Sequence, residues 1–381
     1  MNFKASRPLL VVSANEAHSV IRSPPNQRYA FVDYLKVIAT FTVVIAHKFE
    51  AERDWIFSEG VFQSEFFDPV QYFLTTGGGG VILFFMISGF LITKATMRET
   101  VRQFLVRRAM RILPLYWLAI VILLISGRLK LVATEAAGSF SLLGDFWNSK
   151  HVLGGVDWTL RLEILFYIFA ATILYWLVNQ TKKFWGRALL AFLPIILLVI
   201  PNYPNGWTLG YPAIFLPMFI PGVAVAIYDF NRNRLFLFIG ILSAFIISYF
   251  NMFRYRSDLR DQGYITYSVI ALFIFIVAFS LKERIPEIRS VKLIANISYP
   301  IYLSHLYLLD DFNTMINWLK ESFNSELISF VLEFQLSQIS VQKMFALVLT
   351  LGSCWVVSVL IEQPCIKVSR RWSNRFQERL V

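Results

Sequence analysis

A handful of ionisable side chains stand inside long apolar runs of this sequence, and chemistry would have to be built from them. The run FVDYLKVIATFTVVIAHKFE holds Asp33, Lys36 and His47. On a helix, the eleven residues from Lys36 to His47 make three turns plus about 20°, so the two share a face about 16 Å apart along the axis. Asp33 and Lys36, three residues apart, can pair. In RRAMRILPLYW, Arg108 and Arg111 point the same way. Paired guanidinium forks suit phosphate, although an ordinary basic anchor at the membrane face reads the same way. Glu163, in WTLRLEILFY, lies one turn inside the outer end of its segment, a depth like that of His47. A carboxylate beside an imidazole fixes its tautomer and raises its basicity. That suits a general base taking a proton from a hydroxyl. A pair of Glu163 with Arg161 or Lys48 at the interface is the plainer alternative. His305, in SYPIYLSHL, is either a hydrogen-bonded core histidine or a contact for a substrate. GGGG at 77–80 and SGFLIT at 88–93, which includes Ser88, allow close helix packing or close approach of a ligand.

The elements that must position these residues are membrane helices. The 381 residues are 56% hydrophobic and only 16% charged, and the mean hydropathy is +0.57. A bilayer core needs about 20 apolar helical residues. Candidate spans fall near 31–49, 79–97, 111–127, 158–178, 188–201, 211–228, 235–251, 264–281, 292–309 and 343–361. The expected fold class is therefore all-α, a polytopic transmembrane helical bundle of about ten spans. A charge at mid-bilayer costs at least about 2.5–3.5 kcal/mol, which makes each one found there a functional suspect.

The net charge of +11 is placed unevenly. With the N-terminus in the cytoplasm, the inner segments carry more than twice the Lys and Arg of the outer ones, so both termini are expected inside. The surplus fits topology and contact with anionic membrane lipids, not nucleic acid. Residues 1–28 read as a cytoplasmic segment without a signal sequence, 29–363 as the membrane domain and 364–381 as a basic cytoplasmic tail. The IEQP at 361–364 is expected to stop the last helix. Four scattered histidines and two cysteines, Cys354 and Cys365, suggest neither a metal site nor a disulfide framework.

In order along the chain, D-x-L-K-x10-H from Asp33 to His47, SGFLI at 88–92, R-x-x-R at Arg108 and Arg111 before ILPLYW, WTLRLE-x-x-FY at 158–167, SYPIYLSH at 298–305 and IEQP at 361–364 together resemble the acyltransferase-3 family of membrane acyltransferases. The resemblance implies transfer of an acetyl or related short acyl group from acetyl-CoA or another acyl-CoA to a hydroxyl of a sugar or cell-surface glycan, with no metal. It implies a multi-pass protein of the bacterial cytoplasmic membrane. His47 would be the catalytic histidine and Glu163 an essential acid of the site. Arg108 and Arg111, with Lys36 and Ser88, would hold the donor, and His305 and Asp33 would contact the acceptor. Two positions depart from the pattern: Lys36 stands where Arg is usual, keeping the charge but losing the fork, and Arg161 stands where a small polar residue is common. A transporter or flippase without covalent chemistry would use the same buried charges, but the paired repeats frequent in transporters are not found.

Overall fold

The computed structural model describes residues 29–49, 68–146, 149–175, 210–255, 259, 263–323, 335–336 and 339–378. Among these residues the secondary structure is helical apart from one antiparallel pair, Gln335–Leu336 with Ile339–Ser340. In chain order the helices are α1 (Ala30–Lys48), α2 (Asp68–Thr75), α3 (Gly78–Thr96), α4 (Val101–Ile125), α5 (Ala133–Ser141), α6 (Asp157–Phe169), α7 (Gly210–Phe215), α8 (Ile220–Asn231), α9 (Arg234–Tyr255), α10 (Tyr264–Ser280), α11 (Arg289–Asn296), α12 (Ser298–Phe323), α13 (Val341–Val357) and α14 (Gln363–Glu378). Among the described residues six stretches are long and apolar enough to cross a membrane: Ala30–Lys48, Gly78–Thr96, Val101–Ile125, Pro212–Asn231, Arg234–Tyr255 and Lys343–Ser373. α10 is apolar but shorter, with 17 residues. The expected fourth and ninth segments are helical too, as α6 and α12, but one is short and the other carries Asp310 and Asp311. The expected span at 188–201 and the segment at 1–28 lie outside the described residues.

α3 is the central helix, packed against α1, α8 and α10. Glycines make this possible. A Cβ on Gly89 would lie 2.0 Å from the carbonyl oxygen of Phe219, and one on Gly222 would lie 1.9 Å from that of Met86. The backbones of α3 and α8 therefore touch where these two glycines cross. Gly80 does the same for α1, since a Cβ there would meet the Ala39 carbonyl at 2.6 Å. Close helix packing thus accounts for Gly80 and Gly89. Gly77, with φ 67°, caps α3 in a left-handed conformation open to glycine.

Boundaries differ from expectation where side chains rewrite them. α4 begins at Val101 because Thr100 and Gln103 form a reciprocal capping box, so Arg108 and Arg111 lie two turns inside the helix. IEQP does not stop the last helix. The chain makes a π turn over Ser358–Glu362 and continues as α14, which packs on α4. Pro364, which has no N–H to give the preceding turn, follows directly on the π turn. At one end of the bundle, Asp229 on α8 pairs with Lys94 on α3 at 2.7 Å and with Lys282 just after α10. At the other end, Lys48 pairs with Asp310 at 2.7 Å, and Arg128 makes a two-pronged bond to Asp311 at 2.6 and 2.8 Å. The Asp311 carboxylate raises the Arg128 pKa further.

The segment between α5 and α6 folds into the bundle instead of lying across it. Val152, Leu153 and Val156 are buried, and so is Arg161 on the next turn. The Arg161 guanidinium bonds Asp157 at 3.0 Å, Asp145 at 2.8 Å and the carbonyls of Ser149 and Lys150 at 3.2 and 2.8 Å. Arg161 is therefore a buried clamp on the entering loop, which explains a large cation at that position. It does not pair with Glu163.

A candidate active site of cavity-lining cations and a histidine pair

A cavity of about 100 Å³ opens between α1, α3, α4, α6 and α12. Lys36, Ser88, Arg108, Arg111 and Glu163 all line it, so five of the residues singled out from sequence meet around one cavity. Tyr167, Tyr299, Tyr302 and Thr159 complete the polar lining. Three cations face one carboxylate, and a low-dielectric site of that composition favours an anionic guest.

The contacts fix each group. Tyr167, one turn beyond Glu163, donates its hydroxyl to the Glu163 carboxylate at 2.6 Å, and Ser88 donates to the same oxygen at 3.3 Å. Arg108 lies over the rings of Phe104 and Tyr167, 5.5 and 6.0 Å from their centres. Its Nε is buried without a hydrogen-bond partner, leaving a donor for a ligand. Tyr299 donates to the Ile112 carbonyl at 2.8 Å and so ties α12 to α4 beside Arg111. Glu362, from the π turn, is buried and takes a 2.9 Å bond from Ser358. Arg111 and Lys36 stand within electrostatic reach of it. Sequence reasoning missed this acid because IEQP was read as a stop signal. It also missed the tyrosines, although their spacing was readable: Tyr167 is four residues from Glu163, and Tyr299 and Tyr302 step along α12 toward His305.

His47 is not on the cavity wall, and the expected pairing of Glu163 with His47 is not formed. Two helices give the same measure of the gap. Gly77 lies beside His47 and Ser88 beside Glu163, eleven residues apart on α3, or about 16 Å. Lys36 and His47 are separated by the same step on α1. Glu163 is thus at the level of Lys36. The reason is the infolded loop before α6: one turn into a helix that already starts inside the bundle is deep.

The neighbour of His47 is His305, with ring centres 5.4 Å apart. His305 is fully buried, and its Nδ1 lies 2.8 Å from the Tyr302 carbonyl oxygen. Ser298, Tyr302 and His305 follow one another on one side of α12, so the face that lines the cavity continues to the histidine pair. A 2.6 Å bond between Thr159 and Tyr302 lies on the way. Asp33 is buried on α1 and is not among the cavity-lining residues. Among the described residues no three His, Cys, Asp or Glu side chains group as a metal site.

A protein-family model described as an acyltransferase domain matches residues 29–359. No curated protein and no solved structure matches the chain. The match covers all the helices that form the cavity and both histidines. The chain belongs to the acyltransferase-3 family of membrane acyltransferases.

Proposed function

We propose that this protein moves an acetyl or short acyl group from cytoplasmic acyl-coenzyme A to a hydroxyl of a sugar or cell-surface glycan, in the bacterial cytoplasmic membrane. The observation that carries this reading is the convergence of Lys36, Arg108 and Arg111 on one cavity whose α12 face runs on to His305 beside His47. An anionic donor with a long, thin arm fits that layout. Its phosphates would meet the arginines at the end of the bundle where Lys and Arg are concentrated, and the arm would cover the roughly 16 Å to the histidines. Ser88 and Tyr167 hold the Glu163 carboxylate at the level of these cations.

At the histidine, the acceptor oxygen attacks the thioester carbonyl while His47 takes its proton. The carbon–sulfur bond then breaks, and the same proton passes to the departing sulfur, leaving an ester and free coenzyme A. Asp33 stands about 21 Å from His47 along α1, too far to touch an acceptor held at the histidines.

Purified protein in lipid nanodiscs, given acyl-labelled acetyl-CoA and a glycan acceptor, should release coenzyme A in step with label appearing on the glycan. Movement of a substrate across proteoliposomes with no thioester consumed would instead make it a transporter. Mass spectrometry of envelope glycans from cells with and without the protein identifies the acceptor.

A further inference from the structure

His305 is a buried imidazole with one nitrogen committed and one idle. Its Nδ1 faces the Tyr302 carbonyl oxygen at 2.8 Å, and a carbonyl only accepts, so Nδ1 carries the hydrogen. No carboxylate is bonded to the ring, and an unpaired charge in a site without solvent exposure is strongly disfavoured. The ring is then neutral, and its Nε2 is a lone-pair acceptor. That Nε2 is buried with no hydrogen-bond partner. Buried polar atoms without partners are rare and often mark function.

The ring 5.4 Å away belongs to His47. A nitrogen-to-nitrogen hydrogen bond of about 2.9 Å places two imidazole centres about 5 Å apart, so the pair already stands at bonding separation and needs only a turn of one ring. His47 is the more exposed of the two. The adjacent cation does not compete for the idle nitrogen, because Lys48 donates to Asp310 at 2.7 Å and to the Leu306 carbonyl at 3.0 Å.

We propose that His305 is a positioning residue for His47: its idle Nε2 receives an N–H of His47, fixing the tautomer that presents the other His47 nitrogen to the reacting hydroxyl. This rests on the acyltransferase reading and gives His305 the role that sequence reasoning had assigned to Glu163. The hydrogen stays on His47, and no bond to carbon is made by His305.

The test uses two amide replacements in the full-length protein. His305→Asn keeps a donor near Nδ1 for the Tyr302 carbonyl but has nothing at the position of Nε2. His305→Gln can place an amide oxygen there. Turnover should fall at least about tenfold in the Asn variant, with KM for acetyl-CoA unchanged, and should be partly restored in the Gln variant. A readout independent of turnover is carbethoxylation of His47 by diethyl pyrocarbonate, followed by peptide mass spectrometry. It should slow several-fold in His305→Asn, because the reactive nitrogen is no longer fixed. Wild-type turnover and wild-type carbethoxylation in the Asn variant would overturn the proposal. So would equal losses in both variants accompanied by a lowered unfolding temperature. His47→Ala separates the two readings: if it is inactive while His305→Asn is normal, only the positioning role fails; if it transfers acyl groups normally, the base assignment itself fails.

Discussion

Arg108 and Arg111 stand one turn apart on α4 and both reach the cavity. Their value lies in the planar fork, which a lysine cannot reproduce. Arg111→Lys should therefore raise KM for acyl-CoA about tenfold, the worth of one charge-assisted hydrogen bond, and leave KM for the glycan unchanged. Glu163→Gln keeps an oxygen for Tyr167 and Ser88 but removes the carboxylate that offsets the three cations; KM for acyl-CoA should fall several-fold, with the unfolding temperature nearly unchanged in a scanning fluorimetry trace. The arginines and Lys36 were legible in the sequence because helical spacing alone decides which side chains share a face. The depth of Glu163 was not legible. It depends on the loop held by Arg161, and that loop is fixed by four contacts spread over residues 145–161. Glu362 was hidden for a related reason: nothing in IEQP distinguishes a π turn from a helix stop.

Helices, not loops, set the spacing of the site, and glycines set the spacing of the helices. The crossing of α3 and α8 leaves no room for a methyl group at Gly89 or Gly222, where the obstacle is backbone and cannot swing aside. Each Gly→Ala change should destabilise the protein by about 1–3 kcal/mol in detergent unfolding. The double variant should fall short of the sum, because the first substitution already parts the helices. Arg161→Met should be worse, at about 3–5 kcal/mol, since it leaves the buried Asp157 carboxylate with only His151, 3.3 Å away, beside it. Most elements were readable from apolar length, among them α1, α3, α9 and α10. The early start of α4 depended on a cap, and the continuation into α14 depended on its packing against α4, neither of which hydropathy registers.

At the scale of the whole molecule, the account needs a donor end and a histidine end. Arg102 lies in the first turn of α4 and Lys130 just past its end, so the two stand at opposite ends of this 25-residue helix. With Cys354 and Cys365 replaced, a single cysteine at 102 should resist an impermeant maleimide added to intact cells, and one at 130 should react. The reverse pattern would put the arginines on the wrong side for a cytoplasmic donor. The most direct test of the central claim compares His47→Ala and Arg111→Lys in one experiment, reading acetyl-CoA binding by calorimetry and acyl transfer by label on the glycan. The account predicts that His47→Ala binds the donor like the wild type but transfers nothing, while Arg111→Lys transfers once enough donor is supplied. Sustained transfer by His47→Ala, or wild-type donor affinity in Arg111→Lys, would contradict it.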